Sequence, residues 1–268
     1  MKWFFFLLLV PIVLLGLFVP QSKATSERAY QDYLYQFDLY RQKYSDFTIA
    51  KNEYEKFGSL TSQTTALTNT STMLAQRDQL LRAYLLLLNE KLNEDRGLGD
   101  IQKATYRTLM SNEIGFLDQH SALVQSIGSL EDAQNVSREL ESHYAVLGAS
   151  IRQTIIGVSL GQLSVLTRQF DTNLADAKAL VTTNRGEFTP QKQATIDRWL
   201  LQIQNIRSLY QQKIDSITAK NVQLKGNSID SQDDVFRQLK RDLGQAKQYL
   251  IEGNGFVGEL LNALRYQE

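Results

Sequence analysis

The chain has 268 residues, and its 29 basic side chains balance 29 acidic ones, so it carries no net charge with which to grip nucleic acid or an anionic surface. It has no cysteine, which excludes disulfides, thiolate metal centres and thiol nucleophiles. Of three prolines only Pro190 lies beyond residue 20, so long helices meet no obstacle and a β-rich fold has no turn chemistry to support it.

Residues 1–24 read as an export signal. Lys2 supplies the positive end, and Trp3 to Val19 is apolar apart from the irregularities Pro11 and Gly16. Pro20 breaks the run, and Ser22-Lys23-Ala24 offers small residues at the positions a signal peptidase reads, with Thr25 as first mature residue. The alternative is an uncleaved N-terminal anchor over residues 3–19, which as a helix spans roughly 25 Å, the short end of what crosses a bilayer. Single lysines on either side, Lys2 and Lys23, give it little topological asymmetry. The expected location is extracytoplasmic: secreted, periplasmic or at the cell surface, membrane-held only if this segment stays. Residues 25–268 hold 27 basic and 29 acidic side chains and are long enough for one large or two ordinary domains.

The first mature helix is expected from about Ser26 to Phe57. Along it Tyr30, Tyr33, Phe37, Tyr40, Tyr44, Phe47 and Tyr54 alternate at spacings of three and four, interrupted by Lys51. Gly58-Ser59 ends or kinks it. A second helix carries Leu60, Leu67, Leu74, Leu81 and Leu88 at sevenfold spacing, joined late by Leu85 and Leu92, with Leu85 to Leu88 buried on more than one side. Gly97-Leu98-Gly99 closes it and Asp100 caps a third helix, about Ile101 to Ile127, whose row is Leu109, Phe116, Leu123 and Leu130.

Ser129 and Asp132 resemble a capping box that opens a long segment to about Asn184. Its apolar side is Val136, Leu140, Leu147, Ile151, Ile155, Val158, Val165, Phe170, Leu174 and Val181. Gly148, Gly157 and Gly161 mark its expected bend or joint, since each weakens a helix by about 1 kcal/mol relative to Ala. Thr189-Pro190 starts a fifth helix with Ile196, Ile203, Tyr210, Ile217 and Leu224 seven apart, and Trp199, Leu200, Ile206 and Ile214 beside them. Asp230 or Ser231 caps a sixth helix through Val235, Phe236, Leu239, Leu243 and Leu250. Gly253-Asn254-Gly255 then separates a short last helix with Phe256, Leu260, Leu261 and Leu264.

Apolar stripes repeating every 3.5 residues let helices lie nearly parallel over many turns. The expected fold is therefore all-α: an elongated antiparallel helical bundle or coiled-coil-like hairpins, about six long helices plus a short C-terminal one. Two bundles, 25–155 and 156–268, are expected to share the long central helix.

No catalytic constellation is present. The chain has two histidines, His120 and His143, and lacks G-x-S-x-G and glycine-rich phosphate-loop signatures. Carboxylate-bridged metal bundles need Glu-x-x-His on two helices, whereas Glu139-x-Glu141-x-His143 offers spacings of four and two, once. That pattern reads as a solvated or hydrogen-bonded surface histidine, so no catalytic, cofactor-binding or metal-ligating residue is assigned and no cofactor is expected. The aromatic row of the first helix suits a sugar platform in principle, but its heptad regularity is what a partner helix requires, so it reads as core. The Leu60 to Leu88 row serves either an oligomerising zipper or neighbours within the chain. Arg237, Lys240, Arg241 and Lys247 are interleaved with Asp233, Asp234 and Asp242 and read as a solvated face. Asn69-Thr70-Ser71 and Asn135-Val136-Ser137 match the N-glycosylation triplet, which has meaning only in a eukaryotic source.

The functional expectation is a non-enzymatic exported scaffold or protein–protein interaction module, working on a protein partner or on itself through helical surfaces, with no nucleic-acid partner. The alternative is a membrane-tethered sensory or ligand-binding ectodomain, glycan-binding if the Tyr30 to Tyr54 row faces solvent.

Overall fold

The computed structural model describes residues 21–226 and 229–265, so the expected leader or anchor lies outside the described residues except for its last four positions. The described chain forms six α-helices and no strand: α1 (Gln21–Phe57), α2 (Leu60–Glu94), α3 (Asp100–Gln125), α4 (Leu130–Asn184), α5 (Pro190–Gln223) and α6 (Ile229–Arg265). Single 3₁₀ turns, Arg185–Glu187 and Leu224–Gly226, follow α4 and α5. The all-helical bundle expected from the sequence is what forms. Among the described residues no helix is long and apolar enough to cross a membrane.

Local chemistry places the helix ends. Gly58 adopts φ +56°, where its lack of a Cβ removes the steric penalty, and its N–H donates to the Tyr54 carbonyl at 2.9 Å to close α1. The Ser59 hydroxyl accepts the Ser62 N–H at 3.2 Å to open α2. Between α2 and α3, Asp95 Oδ1 accepts the N–H groups of Gly97 and Leu98 at 2.8 and 2.7 Å. Asp100 is the first residue of α3 rather than its cap, and the Gln102 side chain accepts the Gly99 N–H instead. At α4, Ser129 Oγ accepts from the Asp132 N–H, and the Asp132 carboxylate accepts from Gly128 N–H, each at 3.1 Å. Thr189 caps α5 through the Lys192 N–H at 3.2 Å, with Pro190 in the first turn.

The described residues pack as two units, the first comprising those up to Glu94 with Leu117–Gln134, the second Asp95–Phe116 with those from Asn135. These limits interleave along the chain.

In the first unit α1 and α2 form an antiparallel hairpin. The contact line on α1 is Ser26, Ala29, Tyr33, Gln36, Tyr40, Lys43, Phe47, Ala50 and Tyr54, all buried or half-buried at spacings of three and four. The Gln76 amide reaches across to the Gln36 side chain at 2.7 Å, and the Ser26 N–H donates to Glu94 at 3.2 Å. Helix α2 is buried on several sides: Leu85, Leu87, Leu88 and Leu92 are all in the core with Met73, Leu74 and Ala83. The leucine row is not uniform, because Leu60, one residue past the Gly58-Ser59 turn, stands 78% exposed.

The second unit is built on the C-terminal half of α4 with α5 and α6. Every member of the expected α5 row, Ile196, Ile203, Tyr210, Ile217 and Leu224, is at most 3% exposed. Facing it are Ile156, Leu163, Phe170 and Ala177 of α4 and Leu239, Ala246, Val257 and Leu260 of α6.

Three expectations change. The buried line of α3 is Met110, Glu113, Leu117, His120 and Val124, one residue on from Leu109, Phe116 and Leu123, and Leu123 is 39% exposed. Helix α4 is unbroken for 55 residues through Gly148, Gly157 and Gly161. A Cβ at Gly157 would strike the Tyr106 ring, and one at Gly161 the Asp95 carboxylate, so these two glycines admit close neighbours without interrupting the helix. Finally α6 runs straight through Gly253-Asn254-Gly255, so the short last helix is its final turns. Gly253 is buried, and a Cβ there would lie 2.8 Å from the Phe170 ring and 3.4 Å from Ile206.

Substituting two glycines of α6 tests this reading. Gly253→Ala, pressed against Phe170, is expected to lower stability by about 1–2 kcal/mol through overpacking. Gly244→Ala, with no atom within 4 Å of the new Cβ, is expected to raise it by roughly 0.8 kcal/mol. Urea unfolding followed by circular dichroism checks both signs.

Candidate functional site

The aromatic row of α1 divides into two sevenfold rows about 50° apart around the helix. Tyr33, Tyr40, Phe47 and Tyr54 lie on the contact line with α2 and are half-buried. Tyr30, Phe37 and Tyr44 lie beside it and are 43%, 39% and 51% exposed. The reading of the whole row as core is thus corrected for its outer half. The cause is the second set of contact positions, Ala29, Gln36, Lys43 and Ala50, whose small or polar residues draw the seam away from Tyr30, Phe37 and Tyr44.

The rings touch along the helix. Tyr30 and Tyr33 have centroids 6.5 Å apart and Tyr33 and Phe37 6.3 Å, while Tyr44 lies 6.0 Å from both Tyr40 and Phe47. Tyr33 also packs 5.3 Å from Tyr84 of α2. Burial, with Tyr33 alongside, raises the Tyr84 phenol above its ordinary pKa, so this ring stays neutral and anchors the strip. From Tyr30 to Tyr44 the outer row extends about 21 Å. Lys51 continues it as an exposed cation, which accounts for the interruption seen in the sequence.

Both histidines are committed to helix–helix contacts. In the first unit His120 Nδ1 lies 2.7 Å from Asp78 Oδ2, with side chains 0% and 2% exposed. In the second, His143 Nε2 is 2.7 Å from Glu113 Oε2, and Glu113 Oε1 accepts the Ser150 hydroxyl at 2.9 Å. The Phe116 ring stacks on the His143 imidazole at 3.7 Å. His143 is therefore hydrogen-bonded, but to Glu113 and not to the nearby Glu139, which is exposed. A carboxylate that accepts from both Ser150 and His143 orients neither as a nucleophile–base pair, since serine and histidine do not bond each other. Among the described residues no group of three or more His, Asp or Glu is placed to hold a metal ion. Sequence reasoning did not single out Asp78 or Glu113. Glu113 and His120 do carry a signal, each sitting three residues after an apolar member of the α3 line.

A third polar cluster joins α5 and α6. Asp242 is 5% exposed, and its Oδ1 accepts from Lys213 Nζ at 3.2 Å and from the Gln238 amide at 3.1 Å. Lys220 lies 3.6 Å from its other oxygen. Burial opposes ionisation of Asp242, but these hydrogen bonds and the Lys213 and Lys220 charges outweigh it and hold the carboxyl below its ordinary pKa. Asp242 thus belongs to a buried seam and not to a solvated face.

No protein-family model matches the chain, and no curated protein or solved structure is significantly similar to it.

Two measurements probe these clusters. His120→Ala strands the Asp78 carboxylate in the core and is expected to cost about 3–5 kcal/mol in chemical denaturation, whereas replacing both residues by Leu restores most of the loss. Because the Asp242 pKa is depressed in the folded state, its contribution is present above the ordinary carboxylate pKa of about 4 and fades as pH falls through the folded value. Asp242→Asn is expected to flatten that acid limb of the stability–pH curve and leave its slope near neutrality unchanged.

Proposed function

We propose that the protein is a non-enzymatic interaction module that works outside the cytoplasm and uses the outer aromatic row of α1 as its contact surface. One observation carries the reading: Tyr30, Phe37 and Tyr44 are laid out at helical spacing, in ring contact with the α1–α2 seam, yet remain open to solvent. Aromatic side chains of this kind give large contact area for little conformational entropy and dominate protein interfaces when buried by a partner. A helix laid along the row would meet an aromatic residue at every second turn of its own. The extracytoplasmic setting rests on the composition of residues 1–24.

The same exposure favours one second reading, a platform for glycan rings. The neighbouring rings of the strip are inclined to one another by 29° to 51°, a stepped surface that suits interdigitating side chains better than a flat sugar face.

The decisive comparison is affinity capture from the protein's own cell surface with wild type and a Tyr30→Ser/Phe37→Ser/Tyr44→Ser variant, using Tyr35→Ser, 61% exposed, as control. The module reading expects a protein partner lost in the triple variant and kept by the control. Retention of every partner by the triple variant sinks it, and loss of polysaccharide binding alone transfers the row to the glycan reading.

A further inference from the structure

The end of the three-helix unit carries a second surface, independent of the α1 strip. Helices α4 and α6 run in the same direction, as Arg152 pairing with Asp233 and Phe170 meeting Gly253 require. Near their C-terminal ends they part into a groove that continues towards the α4–α5 turn as two adjoining clefts of about 510 and 600 Å³. Both clefts are lined by Leu180 and Leu261. Leu180 is 50% exposed and Leu261 half-buried, while the floor beneath is made of the buried Ala177 and Val257. Gly258 adds no side chain to its wall, so an opposing surface can approach closely there. Positions 173, 176/177, 180 and 184 of α4 run beside 254, 257/258, 261 and 264/265 of α6. Two parallel seams at spacings of three and four form a face on which a like pair of helices packs to complete a four-helix arrangement.

Charge chooses the occupant. Among the described residues, one end of the groove is lined by Asp176, while the other is lined by Lys192 and Arg265 with the acid Glu187. Lys192 is held there by donating to the Leu264 carbonyl at 3.2 Å and lying 5.0 Å over the Phe188 ring. A two-fold axis through Leu180 and Leu261 brings the acidic end of one groove onto the basic end of its copy, twice, with leucines meeting at the centre. Self-complementary surfaces of this kind define an isologous dimer. We propose that the α4–α6 groove binds a second copy of this chain, antiparallel across that axis, with Asp176 facing Lys192 and Arg265.

The absence of cysteine makes the test direct. In the full chain Leu180→Cys places one thiol next to the axis, where it meets its own copy. Gln248→Cys, on an exposed face of α6, serves as reference. Under mild oxidation Leu180→Cys is expected to give a covalent dimer on a non-reducing gel severalfold above the reference. Adding Asp176→Lys sets like charges together and is expected to lower that yield severalfold. Adding Lys192→Glu and Arg265→Glu to that variant restores the attraction and the dimer. Cross-linking no better than the reference, indifference to Asp176→Lys, or a thiol captured by a different protein would each overturn the proposal. The triple variant of the α1 row leaves the dimer intact, so failure of the interaction-module reading and failure of this one are read separately.

Discussion

A helix that touches its neighbours over its whole length must return a side chain to the contact line every 3.5 residues, and a chain without cross-links has little else to hold it. Helix α5 meets that requirement most simply, with Ile196, Ile203, Tyr210, Ile217 and Leu224 all enclosed. Where the row needs a larger group it takes Tyr210, whose hydroxyl bonds Thr167 of α4 at 2.6 Å. Burial pushes the Tyr210 phenol up, opposed by that hydrogen bond and by Arg207, so the ring serves as a neutral core residue with one satisfied polar atom. The other helices of the second unit take their spacing from this row: Phe170 lies one turn from Thr167, and Gly253 opens the space that the Phe170 ring fills.

Polar groups inside the seams restrict which register can form. Leucines slide past leucines at modest cost, but a buried Asp78 has to find His120, and a buried Glu113 has to find both His143 and Ser150. Gln153 and Asn221 do the same between α4 and α5, each side-chain amide donating to the other's backbone carbonyl at 2.9 and 3.1 Å. A shift of one heptad leaves every one of these groups desolvated and unpaired, a penalty of several kcal/mol. Apolar spacing therefore supplies the adhesion, and a few buried polar pairs select the alignment.

This division explains what could be read in advance. The six long helices, most of their ends and the α5 core line were legible, because aliphatic residues seven apart and caps such as Thr189-Pro190 have direct causes in the chain. The α3 line was misplaced by one residue because Leu109, Phe116 and Leu123 are a competing apolar row. The true line contains Glu113 and His120, whose partners lie 30 and 42 residues away in sequence. In α6 one buried row is Gln232, Leu239, Ala246, Gly253 and Leu260, sevenfold throughout yet with only two large apolar members, and Asp242, Leu250 and Val257 are buried beside it. Glycine in that row looked like a helix end because its use depends on Phe170, which is remote in sequence.

The α1 row raises the same issue in reverse. All its members have the spacing of a core, but only one of its two rows meets α2, since the seam also runs through Ala29, Gln36, Lys43 and Ala50. A stripe of aromatics wider than the contact it makes leaves one edge in water, where each ring gives up part of its hydrophobic gain of about 25 cal/mol per Å². Solvent exposure of single apolar residues is ordinary, but a row that holds heptad register on the open side of a hairpin is not. For α1 the expense is recovered only when another surface covers Tyr30, Phe37 and Tyr44, and that is the physical ground of the proposal that this row is a contact face.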